Sequence, residues 1–240
     1  MKFTLTCTVA AMDTRTVALD DVRTLMARAT GDEKHEESTT STLDALWVLY
    51  DRVLRIDPTR PEAEDRDRLI VSKGHGPAAL YAILAARGFF AAEWLDRFLE
   101  HDGHLGSHPD RTQVPGIEAS TGSLGHGLPM AIGVALALRA KGSHEPRTVV
   151  LCGDAEFNEG SNWEAILLAP HLRLGGLTLL VIDNHSSILT MQPWAERIGS
   201  FGWDVQVVDG HDHDALEGAF RVRHADMPTA VIADVPEGEW

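Results

Sequence analysis

The stretch VVLCGDAEFNEG, residues 149–160, places three acidic groups, Asp154, Glu156 and Glu159, directly after a run of strand formers. Carboxylates this close repel one another unless a cation, a proton or a partner chain relieves them. A second apolar run, LTLLVIDN at residues 177–184, also ends in an oxygen ligand, Asn184. A single helical stretch separates the two runs, so the strands are neighbours, or one strand apart, in a parallel sheet. Ligands of open parallel sheets bind beyond the carboxyl ends of the strands, so Asp154 and Asn184 can face one crevice. A carboxylate, an amide oxygen and a free backbone carbonyl suit a hard cation such as Mg²⁺, which completes its shell with water and phosphate. Gly153 lets a phosphate approach the backbone, and a helix starting near Ser161 offers a positive end to an anion. The bland alternative is that Asp154 is an ordinary cap or turn residue. Cys152, inside the apolar run, reads as a small core residue rather than a nucleophile.

These side chains need a scaffold. Residues 16–30 carry apolar positions mostly at helical spacing, GDEKHEESTTS (31–41) reads as a polar loop, and TLDALWVLYDRVL (42–54) reads as a helix. DPTRPEAEDRD reads as an exposed connection. LIV then leads through Lys73-Gly74-His75-Gly76 into a helix with Pro77 in its first turn. Residues 101–122, rich in Gly, His, Pro and Asp, read as a long functional loop. The helix GHGLPMAIGVALALRAKG has Gly and Ala at a spacing that suggests close packing on another backbone. The second half alternates strand and helix, with strands at 147–152, 177–184, 203–210 and 229–235. Continuous apolar strands in repeated β-α-β units predict a doubly wound parallel α/β sheet with helices on both faces. Residues 1–240 read as one domain, with residues 1–15 as a flexible tail.

Composition sets the boundaries. The chain has 240 residues, 44% apolar and 24% charged, and a net charge of −15. Such acidity argues against nonspecific nucleic-acid binding. Every apolar run is too short for a membrane span. The opening MKFTLTCTVAAM is interrupted by Thr and does not read as an export signal. Two distant cysteines, Cys7 and Cys152, form no disulfide framework, which fits a reducing compartment and a cytoplasmic location.

Three ordered motifs carry a family resemblance across residues 16–235. DRLIVSKGHGPAALYAIL, GSHPDRTQVPGIEASTGSLGHGLPMAIGVAL, and GDAEFNEGSNWEA followed by VIDNHSSI resemble the diphosphate-binding N-terminal domain of transketolases. The resemblance is strongest to the small subunit of two-gene transketolases. It implies thiamine diphosphate and Mg²⁺, or another divalent cation such as Ca²⁺ or Mn²⁺, as cofactors. It implies Asp154, the Asn184 side chain and the Ser186 carbonyl as metal ligands. Gly153, Ala155 and Asn184 match diphosphate contacts, and His75 matches a histidine reaching both diphosphate and reaction side. Gly122, Ser123 and Leu124 match a loop against the cofactor rings, and Ile188 an apolar residue near the thiazolium. His35 and His108 match histidines lining the substrate channel. Glu159 and Glu164 match carboxylates of a shared-proton network at a dimer interface, with a solvent-facing Glu164 as the alternative. Of the nine other histidines, His101, His104, His171, His211, His213 and His224 read as surface or capping residues.

The chain departs from the family pattern in three places. Lys34-His35-Glu36-Glu37-Ser38 replaces a glycine-rich G-H-x-G-G motif, which points to an unusual substrate. Gly-Asp-Ala replaces Gly-Asp-Gly, which is harmless if Ala155 has negative φ. A late diphosphate-side histidine has no counterpart after Val235. The resemblance implies transfer of a two-carbon ketol unit from a ketose to an aldehyde. It implies activity only with a separate C-terminal-type subunit carrying the pyrimidine-binding domain, as α₂β₂. A related subunit that uses a keto acid or other donor, and a degenerate non-catalytic subunit, are the rival readings.

Overall fold

The computed structural model describes residues 17–30 and 36–236, with side chains from Thr39 onward in the second stretch. The expected tail at 1–15, Cys7 and His35 lie outside the described residues.

Five parallel strands form one sheet: β1 (Arg68–Val71), β2 (Thr148–Gly153), β3 (Leu177–Asp183), β4 (Asp204–Asp209) and β5 (Thr229–Asp234), in the order β1-β2-β3-β5-β4. β2 and β3 are direct neighbours, with Gly153 opposite Ile182. β2 and β3 are buried along their whole length, as their unbroken apolar runs require. Alternation of side chains divides them between two cores. Val149, Leu151, Leu180 and Ile182 face a cluster formed with α2 (Glu36–Val48), α3 (Ala78–Ala86) and α7 (His213–Arg221). Val150, Cys152, Leu179 and Val181 face a second cluster with α4 (Gly127–Ala140), α5 (Gly160–His171) and α6 (Trp194–Gly199). This is the expected doubly wound arrangement. α1 (Leu19–Met26) packs beside α3, shorter than the periodicity over 16–30 suggested. Cys152 is fully buried, and burial pushes its thiol well above the ordinary range.

Two expectations need correction. The second helix begins at Glu36, six residues before the predicted start, and its last turn, Leu49–Val53, widens into a π-helical turn. A Ser/Thr run reads as loop because hydroxyls compete for backbone partners. Here Thr39, Ser41 and Thr42 are buried by tertiary packing, and Thr42 Oγ1 donates back to the Thr39 carbonyl at 2.8 Å. Of the glycines in GHGLPMAIGVALALRAKG, Gly125 and Gly127 pack tightly, where a Cβ would lie 2.5 Å from Glu159 Cβ and 2.2 Å from Ser72 Cβ, whereas Gly133 and Gly142 have nothing within 4 Å.

Candidate cofactor site at the carboxyl ends of the strands

β2 ends at Gly153, and Asp154 opens a short 3₁₀ helix, Asp154–Asn158. β3 ends at Asp183, with Asn184 next. His185 then adopts φ +58, a left-handed conformation that turns the chain so that Ser186 and Ser187 lie over Asp154. Asp154 is 1% exposed; its Oδ1 accepts from Ala155 N at 2.7 Å and its Oδ2 from Ser187 N at 2.9 Å. Ser186 Oγ lies 2.8 Å from Asp154 Oδ1 and 2.8 Å from Asn184 Oδ1. A hydroxyl has one proton, so it cannot satisfy two acceptor oxygens at once. Three hard oxygen donors, the Asp154 carboxylate, the Asn184 amide oxygen and the Ser186 hydroxyl, thus converge, a set that fits Mg²⁺. Ala155 sits in the 3₁₀ turn and is not among the residues with positive φ, so the Gly-to-Ala departure strains nothing.

The acidic cluster of the opening motif is split three ways. Asp154 faces the Ser186–Ser187 turn. Glu156 is 1% exposed and turns under the backbone. Its Oε1 accepts from Ser72 Oγ at 2.6 Å and Gly125 N at 3.1 Å, and its Oε2 from Gly153 N at 2.9 Å. Burial raises its pKa, while these donors oppose the shift. Glu159 and Glu164 are exposed in this chain.

Sequence reasoning assigned no role to Glu156 or to Lys73. Lys73 is buried, and its Nζ donates to Ser41 Oγ at 3.0 Å. A Cβ on Gly153 would lie 3.2 Å from Lys73 Cδ, so the glycine makes room for this side chain. Burial lowers the ammonium pKa to about 8, against the attraction of Asp154 and Glu156. The signal available in sequence was a lysine inside the SKGH motif.

His75 and His108 meet edge to face, with ring centroids 4.8 Å apart. The 101–122 loop is irregular, as expected, and is fixed from below. Tyr81 Oη contacts the Gly106 and His108 carbonyls at 3.1 and 3.0 Å, and Thr121 Oγ1 donates to the Val71 carbonyl at 2.6 Å. Gly122 has φ +137, and a Cβ there would lie 2.6 Å from His108 Cδ2. A Cβ on Gly74 would lie 2.8 Å from Gly122 N, so the His75 turn and the Gly122 loop touch backbone to backbone. Ser123 is exposed, Leu124 half-buried and Ile188 94% exposed.

Asp183, His185 and Asp234 bring ligand atoms within 4.8 Å of one another, on the neighbouring side of the strand ends. Asp183 Oδ2 already accepts from Trp194 Nε1 at 2.6 Å and Gln192 Nε2 at 2.5 Å, and His185 Nε2 lies 2.8 Å from Asp234 Oδ1. Of the histidines read as bland, His211 and His213 both bond Asp44, at 2.9 and 2.7 Å, and join α7 to α2. His104 stacks on Trp94 at 4.0 Å between centroids.

A doubly wound parallel sheet with oxygen donors and glycine-bearing turns at adjacent strand ends is an arrangement suited to a diphosphate and a divalent cation. The family described as transketolase, thiamine diphosphate binding domain, matches residues 8–234, and the chain belongs to it. It is 47% identical over 217 residues to ferredoxin fas2 of Rhodococcoides fascians, covering 90% of this chain and 71% of that one. It is 37% identical to the 6-deoxy-6-sulfo-D-fructose transketolase subunit SqwG of Clostridium sp. (strain MSTE9), covering 85% and 78%. It is 35% identical to one of the subunits of the apulose-4-phosphate transketolase of Actinobacillus succinogenes, covering 85% and 76%. Among solved structures, transketolase of Pichia stipitis in complex with sedoheptulose 7-phosphate superposes with a TM-score of 0.78 at 26% identity. This chain is covered to 90% in that comparison and spans 36% of the Pichia chain. An iron–sulfur cluster needs four ligands, usually thiolates, and this chain has two cysteines, one of them buried in the core. The matched region therefore lacks the ligands for ferredoxin chemistry.

Proposed function

We propose that this chain is the diphosphate- and Mg²⁺-binding subunit of a thiamine-diphosphate-dependent transketolase. The enzyme moves a two-carbon ketol unit from a ketose-like donor to an aldehyde. A separate subunit with the pyrimidine-binding domain completes it, as a cytoplasmic α₂β₂ assembly. The observation that carries this reading is the convergence of the Asp154 carboxylate and the Asn184 amide oxygen on the Ser186 hydroxyl at two adjacent strand ends, which sets the Ser186 backbone beside them. The relatives named as transketolase subunits support the division of labour.

Asp154, the Asn184 amide oxygen and the Ser186 carbonyl would hold Mg²⁺, with Ca²⁺ or Mn²⁺ as substitutes. The backbone at Gly153 and Ala155, with Asn184, would hold the diphosphate, and His75 would reach it from the facing turn. Gly122, Ser123, Leu124 and Ile188 would pack the rings. When bound, thiamine diphosphate supplies a carbanion at its thiazolium carbon. His75 and His108, held edge to face, would bond substrate hydroxyls and exchange protons there. Exposed Glu159 and Glu164 would meet the partner chain and share protons across the interface. A second reading, a different donor such as a keto acid, is favoured by Lys34-His35-Glu36-Glu37 in place of the family's glycine-rich motif.

Calorimetric titration of thiamine diphosphate with Mg²⁺, into the chain alone and into its mixture with a pyrimidine-domain chain, tests the proposal. Tight binding in the mixture, weakened about a hundredfold by Asp154→Ala, is expected. Absence of binding in both settings would overturn it.

A further inference from the structure

At the opposite end of the sheet, a cavity of about 240 Å³ opens beside the amino ends of β2 and β3. Arg139, Arg173 and Arg223 line it, with His144 and His224, and no Asp or Glu is among the lining residues. That is a marked local inversion in a chain with 36 acidic and 21 basic residues.

Arg173 supplies an independent observation. It follows the last turn of α5 with φ +54, and its N–H bonds the Pro170 carbonyl at 2.9 Å while Leu174 N bonds the Ala169 carbonyl at 3.3 Å. This is the helix-ending position that glycine normally fills, because a side chain there costs about 1 kcal/mol or more. The chain carries that cost at a residue whose side chain lines the cavity. Among the described residues the Arg173 guanidinium makes no hydrogen bond or ion pair. Arg139 and Arg223, exposed like Arg173, each use one donor on a backbone carbonyl, Leu172 at 2.6 Å and Glu145 at 3.4 Å, and form no ion pair among the described residues. The amides of Gly175 and Gly176, also on the lining, donate to no other described residue. His224 is the exception, held by Asp204 at 2.8 Å.

We propose that this cavity binds a small anion bearing a phosphate group, through the guanidinium groups of Arg139, Arg173 and Arg223 and the Gly175–Gly176 backbone. Planar guanidinium forks match phosphate oxygens in pairs. The volume admits phosphate itself or a short phosphate monoester. β2 runs from this cavity at Thr148 to the cofactor crevice at Gly153, so the two sites lie roughly 20 Å apart. Phosphate binding here is independent of the transketolase reading.

Titration of inorganic phosphate and of glycerol 3-phosphate into the full chain tests it, with thiamine diphosphate and Mg²⁺ titrated separately. Saturable binding is expected, weakened about tenfold or more by Arg173→Gly and by Arg223→Gln. Thiamine diphosphate binding should be unchanged in both variants. Glycine adopts φ +54 without strain, so Arg173→Gly keeps the turn. Tighter binding of glycerol 3-phosphate than of phosphate would assign the cavity to a phosphorylated metabolite, and equal binding would assign it to free phosphate. Binding at wild-type strength in both variants, no saturable binding to the wild type, or loss of phosphate binding on Asp154→Ala would overturn the proposal.

Discussion

Lys73 is a cation held almost out of water between Gly153 and Ser41, with Asp154 and Glu156 close enough to attract it. Its folded pKa, about 8, lies below the usual 10.5. Between those values the unfolded chain binds more protons, so stability rises with pH across that window. In the metal-free chain, wild type should gain up to about 3 kcal/mol relative to Lys73→Met between pH 8 and 10.5. Urea melts of both proteins at several pH values measure the difference, and parallel curves would refute it. Cys152 makes a second prediction at this scale. Its thiol is buried and its pKa pushed up, so a Cys7→Ala chain should resist alkylation at pH 8 until denatured. Asp154 and Asn184 were readable in the sequence because each ends an unbroken apolar run. Lys73 and Glu156 were not, because their environments are built by residues up to 84 positions away.

Elements hold the site through a few buried polar clasps. Asp67, 1% exposed, accepts from the backbone amides of Arg55 and Arg147, both at 2.8 Å, and so ties the starts of β1 and β2. Asp67→Ala would strand both amides and should cost about 2–4 kcal/mol in a urea melt, with thiamine diphosphate affinity per folded molecule retained. The Gly122 loop behaves differently. Gly122→Ala must take a side chain at φ +137 and push into His108, so it should lower stability by about 1–3 kcal/mol and also weaken cofactor binding. A variant that binds normally would show that the loop rearranges freely. β2, β3 and β5 were legible because burial on both faces fills them largely with apolar residues, and β4 because it alternates polar and apolar residues. The start of α2 was not, since Thr39, Ser41 and Thr42 look like loop residues until the rest of the fold covers them.

Taken as a whole molecule, the chain places Asp154 and Asn184 at the ends of two neighbouring strands, with the carboxylates of Glu159 and Glu164 turned outward. The chain alone should show no ketol transfer, and mixing with a pyrimidine-domain chain should yield both activity and a sedimenting species of four chains. Activity of the isolated chain would refute the division into subunits. The two-faced sheet followed from the alternating pattern of the second half. The basic cavity did not, because its arginines come from α4, from the turn after α5 and from the segment after α7. Glu156 has one more implication, for the order in which the molecule is made. Its donors, Ser72, Gly125 and Gly153, come from three segments that meet only after β1, β2 and the start of α4 have docked. A chain still emerging from the ribosome therefore lacks this clasp until Glu156 has been made and has met Ser72 and Gly125, 84 and 31 positions behind it.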